Sequence, residues 1–376
     1  MELCTYFTDF LQTIRPMPNQ VEDYKCGHQT LRQRLREDEV LSPILVSTFL
    51  QGSYRRATAI RPQSGKRSDV DVIVVTRLSK DEFTPEQALE VFIPFLEKHY
   101  RGKYKKQGRS IGIELSYVDI DLVITAAPSE SEVGILQAES VTTEDTPEDV
   151  DDWKLTKSWV ERAHRDLPGA SLLLKAAQQE PEWKLAPLYI PDRYANTWEA
   201  THPLAQIKWT WEKNKHCNGH YVNVVKALKW WRRVKLSTLQ YPKGYPVEHL
   251  IGQCCPYGIT TVAEGVTRTL ETIAWDYQSY ALLKQTPPFF LSDHGAPNHN
   301  VFHRLSGEDF AEFHRFVCED AAIARQALDE PDDVRASVEA WQALFGTSFP
   351  DAPPDESKGG YTARERVSVI GGGRFA

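Results

Sequence analysis

Alternation of apolar and polar positions marks the first part of the chain as a sheet flanked by helices. Residues 5 to 37 carry helical spacing interrupted near Pro16 to Pro18, and Gln20 to Leu35 reads as a long amphipathic helix beside both halves of the molecule. Leu45 to Leu50 predicts a strand that Gly52 and Ser53 break, and Val70 to Val75 predicts a second. Thr84-Pro-Glu-Gln opens a capped helix running to His99, and Ile113 to Ile124 alternates as a third strand. Beyond a Ser, Glu, Asp, Thr and Pro-rich stretch from Ala127 to Asp152, read as the exit from this half or a lid, the pattern turns helical and tryptophan-rich to about Gly346. The expected architecture is α+β and bilobed. Residues 1–150 form a catalytic lobe with the long helix, 151–346 a helical lobe with helices within Trp153 to Lys184, and 347–376 a Pro/Gly-rich tail.

The acids change that picture from architecture to chemistry. Asp69 and Asp71, one residue apart on a strand, project to one face, where two negative charges are costly unless a cation sits between them. Glu114, Asp119 and Asp121 offer a third acid. Asp121 is chosen because it opens the apolar run Leu122 to Ile124 as Asp71 opens Val72 to Val75. Gly52 lets the backbone approach a ligand closely, and the Ser53 hydroxyl with neighbouring amides can donate to phosphate oxygens. A phosphate-gripping turn facing three carboxylates suits two magnesium ions, or manganese, bracketing the attack of a sugar hydroxyl on an α-phosphate.

These residues in this order resemble the polymerase-beta-like nucleotidyltransferases. Within them, Gln51-Gly-Ser-x-x-x-x-Thr-x-Ile-x-Pro62 looks like the bacterial cGAS/DncV-like nucleotidyltransferases, relatives of animal cyclic GMP-AMP synthase and the oligoadenylate synthases. The likeness covers most of residues 20 to 345, with a slightly long loop at Gln63 to Arg67 as its departure. It implies a polymerase-beta-like core with an oligoadenylate-synthase-like helical lobe. The implied product is a cyclic di- or trinucleotide second messenger made from nucleoside triphosphates, ATP among them, which switches on a downstream effector in anti-phage defence.

The likeness also assigns further residues. Gln51, Gly52 and Ser53 hold the donor nucleotide. In the helix Asn223 to Arg233, where Val224, Val225, Leu228 and Trp230 or Trp231 form a buried stripe, Lys229 is the better match to the family's triphosphate-contacting lysine and Lys226 the second. Gly244-Tyr-Pro-Val-Glu248 resembles the family's Ser-Tyr-x-Leu-Glu signature with glycine in place of serine. Tyr245 there either stacks on a base or fills the core. The ending Gly371-Gly-Gly-Arg-Phe-Ala376 resembles tails whose terminal carboxylate, here that of Ala376, is joined to other molecules by ubiquitin-activating-like and conjugating-like enzymes.

Composition narrows the class. A chain of 376 residues, 41% hydrophobic and 26% charged, can bury a sizeable core, and it holds no apolar run near the ~20 residues of a membrane span. No basic segment followed by an apolar one opens it, so a cytoplasmic, membrane-free enzyme is expected. The net charge of −8 argues against a broad nucleic-acid surface, although Tyr100 to Arg109 is basic and aromatic. Six cysteines lack a secreted framework. His216, Cys217 and His220, and His249, Cys254 and Cys255, are two partial zinc sets. Neither supplies four ligands alone, so they are read as core or surface residues unless the two segments meet. Two other readings share these residues: an enzyme that nucleotidylates a protein, transfer RNA or antibiotic, and an idle nucleotide- or nucleic-acid-sensing module.

Overall fold

Two apolar cores, one under a sheet and one among helices, organise the computed structural model, which describes residues 1–63, 65–126, 188–288, 290–291 and 296–353. The sheet comprises β1 (Leu45–Gln51), β2 (Asp69–Thr76), β3 (Tyr104–Lys106), β4 (Ile111–Glu114) and β5 (Asp119–Thr125), in the order β1-β2-β5-β4-β3. β2 and β5 are parallel; the other neighbours are antiparallel. Val70, Val72 and Val74 join Ile120, Leu122 and Ile124 in the larger sheet core, together with Leu31 and Leu35 of the long helix α2 (Pro18–Glu37). The alternate residues Ile73 and Val75 pack on the opposite face with Val46 and Phe49. Asp69 and Asp71 share the parity of Ile73, so they emerge on this second face.

Two sequence expectations are corrected here. The single strand from Ile113 to Ile124 is a hairpin: the Leu115 amide bonds the Val118 carbonyl at 3.0 Å, and Glu114 lies opposite Asp119. The helix from Thr84 to His99 is two, α3 (Gly52–Arg55) being followed by α4 (Pro85–Glu90) and α5 (Ile93–Tyr100). The Thr84 capping box with Gln87 stands as expected, but Pro94 has no N–H to continue the ladder and forces a restart.

The other core is built from α6 (Pro203–His216), α7 (Tyr221–Lys235), α8 (Tyr245–Cys254), α9 (Val262–Asp276), α10 (Gln278–Leu282), α11 (Gly307–Asp329) and α12 (Val334–Phe345). Val224, Val225, Leu228 and Trp231 form the buried stripe of α7, and the Trp231 indole N–H donates to Asp320 at 2.7 Å. Helix α1 (Cys4–Ile14) belongs to this core: Phe7 meets Trp341 edge-on at 4.9 Å, and Phe10, Leu11 and Ile14 are buried beside it. Residues 4–14, grouped with the catalytic lobe on sequence, thus pack in the helical one. The break at Pro16 to Pro18 lets the α1–α2 pair send one helix to each core, which gives the expected bridging role to the pair rather than to α2 alone. Two hairpins, β6 (Leu188–Asp192) with β7 (Thr197–Thr201) and β8 (Phe290–Leu291) with β9 (Ala296–Asn300), complete the described elements. The tail expected from 347 is corrected at its start, because Phe349 is buried in the helical core against Phe7 and Phe10; the Ala127 to Asp152 stretch, the boundary at 150, the helices expected within Trp153 to Lys184, and the tail from residue 354 lie outside the described residues.

Candidate active site

Gly52 joins β1 to the short helix α3 with a φ of 77°, a left-handed turn that side chains disfavour. A Cβ there would sit 1.7 Å from Asp71 Oδ2, so only glycine admits the carboxylate this close. The amides of Thr58 and Ala59 donate to the Ser53 carbonyl at 2.9 and 3.1 Å and close the loop behind it. Gln51 lies opposite Asp71 in the ladder and its amide reaches Gln206 of α6 at 3.3 Å.

Parallel pairing of β2 with β5 places Asp69 beside Asp119 and Asp71 beside Asp121, four acids on one face. Arg67 separates their roles. Its guanidinium binds Asp119 at 2.6 Å and Glu114 at 3.4 Å, whereas Asp121 makes no such pair among the described residues and lies beside Asp71. Burial, followed by the charges of Asp69 and Asp121, raises the Asp71 carboxyl to about 7. Burial and the Asp69 charge raise Asp121 to about 6, against a hydrogen bond from Gln107 at 3.0 Å. The backbone register is what brings the three together. Asp71 is turned to Gly52 and Asp121 to Gln107, and no compact group of three His, Cys, Asp or Glu side chains stands ready around a metal among the described residues. Asp71 and Asp121 in register, with Asp69 on the same face, are nonetheless an oxygen donor set rich in negative charge, the chemistry that fits a hard divalent cation.

A cavity of about 470 Å³ opens between the lobes, with Ser53 and Asp69 on one wall and Lys229, Arg232, Arg233 and Lys243 on the other. Its size suits a nucleotide and its cations suit phosphates. Lys229 is anchored: its ammonium donates to the Thr58 carbonyl at 2.9 Å and to Glu248 Oε1 at 2.7 Å. Lys226 is not a cavity residue but buried within α7. Burial, then Arg15 and Lys229, lower its proton affinity. Tyr245 also lies off the cavity, packed on the helical core with the Arg56 guanidinium 4.8 Å over its ring. Of its two sequence readings, the geometry places it in the core. Gly244 caps α8 at φ 63°, ψ −137°, a backbone state open to glycine and strained for serine, which accounts for the altered signature.

The two cysteine–histidine segments do meet: the buried thiols of Cys217 and Cys255 both donate to the Pro256 carbonyl, at 3.5 and 3.9 Å. His216 meets Tyr257 edge-on and His249 lies against Trp209 and Tyr245, so the six do not assemble as ligands. The basic Tyr100 to Arg109 stretch is spent on packing, with Lys106 bound to Glu86 and Arg109 to Asp192 and Glu199. Ala376 lies outside the described residues.

Sequence reasoning missed Arg56 and Arg67 as parts of this site, and carried Thr58 and Glu248 only as motif positions without a role. Glu248 is 4% exposed, takes Thr58 and Arg56 on one oxygen and Lys229 on the other, and those cations outweigh burial to hold its carboxyl below its ordinary value. A glutamate among Val247, Leu250 and Ile251, on the buried face of a helix, was the available signal.

Comparison with known proteins follows the same lines. Residues 1–153 match the family model described as the Second Messenger Oligonucleotide or Dinucleotide Synthetase domain. The cyclic AMP-AMP-GMP synthase of Enterobacter hormaechei subsp. hoffmannii (strain UCI 50) is 47% identical over the whole of both chains. The chain belongs to the cGAS/DncV-like nucleotidyltransferases. Another relative of this cyclic oligonucleotide synthase, the cyclic AMP-AMP-AMP synthase of an Acinetobacter strain, is 31% identical over 93% of this chain and 86% of its own. The fold agrees. Escherichia coli CdnC, solved in a complex with HORMA-deltaN, superposes with a TM-score of 0.62 at 14% identity, covering 92% of this nucleotidyltransferase and 98% of CdnC. Vibrio cholerae DncV, solved with a linear intermediate, gives 0.53 at 15% identity over 81% and 70%. No described helix of this family member is long and apolar enough to cross a membrane.

Proposed function

We propose that this enzyme joins ATP and GTP into a cyclic trinucleotide, one pyrophosphate leaving per bond. The observation that carries the chemistry is the register of Asp71 with Asp121 behind Gly52, beside a cavity that Ser53 and Asp69 enter from one lobe and Lys229 from the other. The full-length likeness to a cyclic AMP-AMP-GMP synthase supports the choice of substrates and ring size.

Each residue then has a task. Ser53 and the amides of its turn orient the donor phosphates, and Lys229 neutralises them from the opposite wall. Asp69, Asp71 and Asp121 would hold two magnesium ions, or manganese, which when bound acidify the acceptor hydroxyl and stabilise the leaving pyrophosphate. The hydroxyl oxygen bonds to the α-phosphorus as the bond to the bridging oxygen breaks, and its proton passes toward Asp121. One cavity serves successive bonds if the linear intermediate turns round before closing. By the family likeness the product would activate an anti-phage effector. The Ala376 carboxylate would be the point of conjugation for a ubiquitin-conjugating-like enzyme, a role that deletion of Arg374 to Ala376 beside the partner genes tests by loss of adducts.

Incubation of the purified chain with all four ribonucleoside triphosphates and magnesium, with products resolved by mass and nuclease digestion, tests the central claim. Cyclic product containing adenine and guanine is expected without any added acceptor. Label appearing only on a protein, transfer RNA or antibiotic would replace this reading with macromolecule or drug modification.

A further inference from the structure

The contact that spans the two lobes beside the cavity is ionic and buried. Glu248 on α8 accepts from Lys229 of α7 on Oε1 at 2.7 Å. On Oε2 it accepts from the Thr58 hydroxyl at 2.7 Å and from Arg56 Nη2 at 3.1 Å. The Arg56 and Glu248 side chains are each 5% exposed, whereas Lys229 keeps 15% and lines the cavity with Ser53. Arg56 and Thr58 come from the segment that closes the phosphate turn, with Arg56 capping α3. Two cations thus share one carboxylate in a place where an isolated charge is costly.

We propose that Glu248 is a positioning residue for the donor triphosphate, the single carboxylate that fixes Lys229 in one geometry against the Gly52-Ser53 turn. The proposal rests on the reading of Lys229 as a triphosphate contact. A lysine ammonium has three N–H donors. Glu248 and the Thr58 carbonyl take two of them, which fixes the direction of the third, and among the described residues no third partner faces it. Arg56 also lies in the field of Asp71, so the positive charge that faces the cavity is that of Lys229, the one a polyphosphate entering it would meet. Glu248 also links the wall bearing Ser53 to the wall bearing Lys229, so the spacing of the two phosphate contacts is set before any nucleotide arrives. That is preorganisation: the ordering cost of Lys229 falls on folding rather than on binding.

The test compares the full-length protein with Glu248→Gln, Lys229→Met and the double variant. The readouts are the Kd of α,β-methylene ATP, KM and kcat from pyrophosphate release, and the melting temperature. Loss of one charge-assisted hydrogen bond predicts a rise in Kd and KM of about tenfold or more for each single variant. The double variant should bind no more weakly than Lys229→Met alone, because Glu248 acts through that lysine. Equal weakening by Glu248→Gln in both backgrounds would mark a merely structural contact and overturn the proposal. Should Glu248→Gln fail to fold, Thr58→Val decides, since it removes one donor to Oε2 and no charge. A KM raised about threefold, and not raised further on Lys229→Met, is expected from one neutral hydrogen bond, and an unchanged KM refutes the idea. Wild-type protein that fails to bind the analogue would instead refute the nucleotidyltransferase site itself, and an unaffected Lys229→Met would refute only the role of that lysine.

Discussion

The two charged regions of the cleft are built on opposite principles. On the sheet, Asp69, Asp71 and Asp121 are like charges that the backbone brings to one face, and burial first, then these neighbouring charges, make Asp71 and Asp121 hold their protons to about 7 and about 6. Across the cavity, Glu248 is buried more deeply yet is held below its ordinary value, because Lys229, Arg56 and Thr58 satisfy it. Uncompensated charge costs stability and waits for a ligand, whereas compensated charge joins two lobes. The difference shows that burial alone does not identify a catalytic acid; the sign and number of its neighbours do.

The comparison can be broken most severely at the sheet. Asp69→Ala with Asp71→Ala should lower pyrophosphate release by about a thousandfold or more, as removal of a metal-holding pair does. Its melting temperature should equal or exceed that of the wild type, since repulsion is relieved; turnover that survived would refute the assignment of these acids. Glu248→Ala should show the converse in a denaturant titration. Leaving Arg56 and Lys229 without their anion should remove about 3–5 kcal/mol of stability.

Gly52→Ala sharpens the contrast, because its Cβ would collide with Asp71 Oδ2. Activity should fall with a stability loss of about 1 kcal/mol or more from the strained φ. The pH dependence without divalent ions reads the same carboxyls. The carboxyls of Asp71 and Asp121 are raised above their unfolded value near 4, so the native state binds extra protons between about pH 4 and 7. Their contribution is therefore largest at low pH and declines as pH rises through that window. The melting temperature should carry this slope, Asp71→Asn should flatten it, and magnesium should restore stability at pH 7 and above.

Much of the site was legible because its signals are local. Gly52-Ser53 and Asp69-x-Asp71 each lie within one turn or strand, and Asp121 was marked by the apolar run Leu122 to Ile124 that it opens, whereas Asp119, of the same parity, is set apart by its contact with Arg67. The hairpin at Leu115 to Val118 was hidden because alternation continues across it. Lys229 ranked above Lys226 only by likeness to the family; the physical difference, a buried lysine against one that lines the cavity, comes from the path of Thr58 and Glu248 past α7.

What the chain's own order of residues determined is the parity of its acids and the glycine turn before them, since strand geometry fixes side-chain direction from spacing alone. Which acid Arg67 would withdraw, which lysine would face the cavity, and that α1 would leave its neighbour for the helical core were decided only in three dimensions. Each depends on partners tens to hundreds of residues away, and the energy of a charge is set by the groups that close around it.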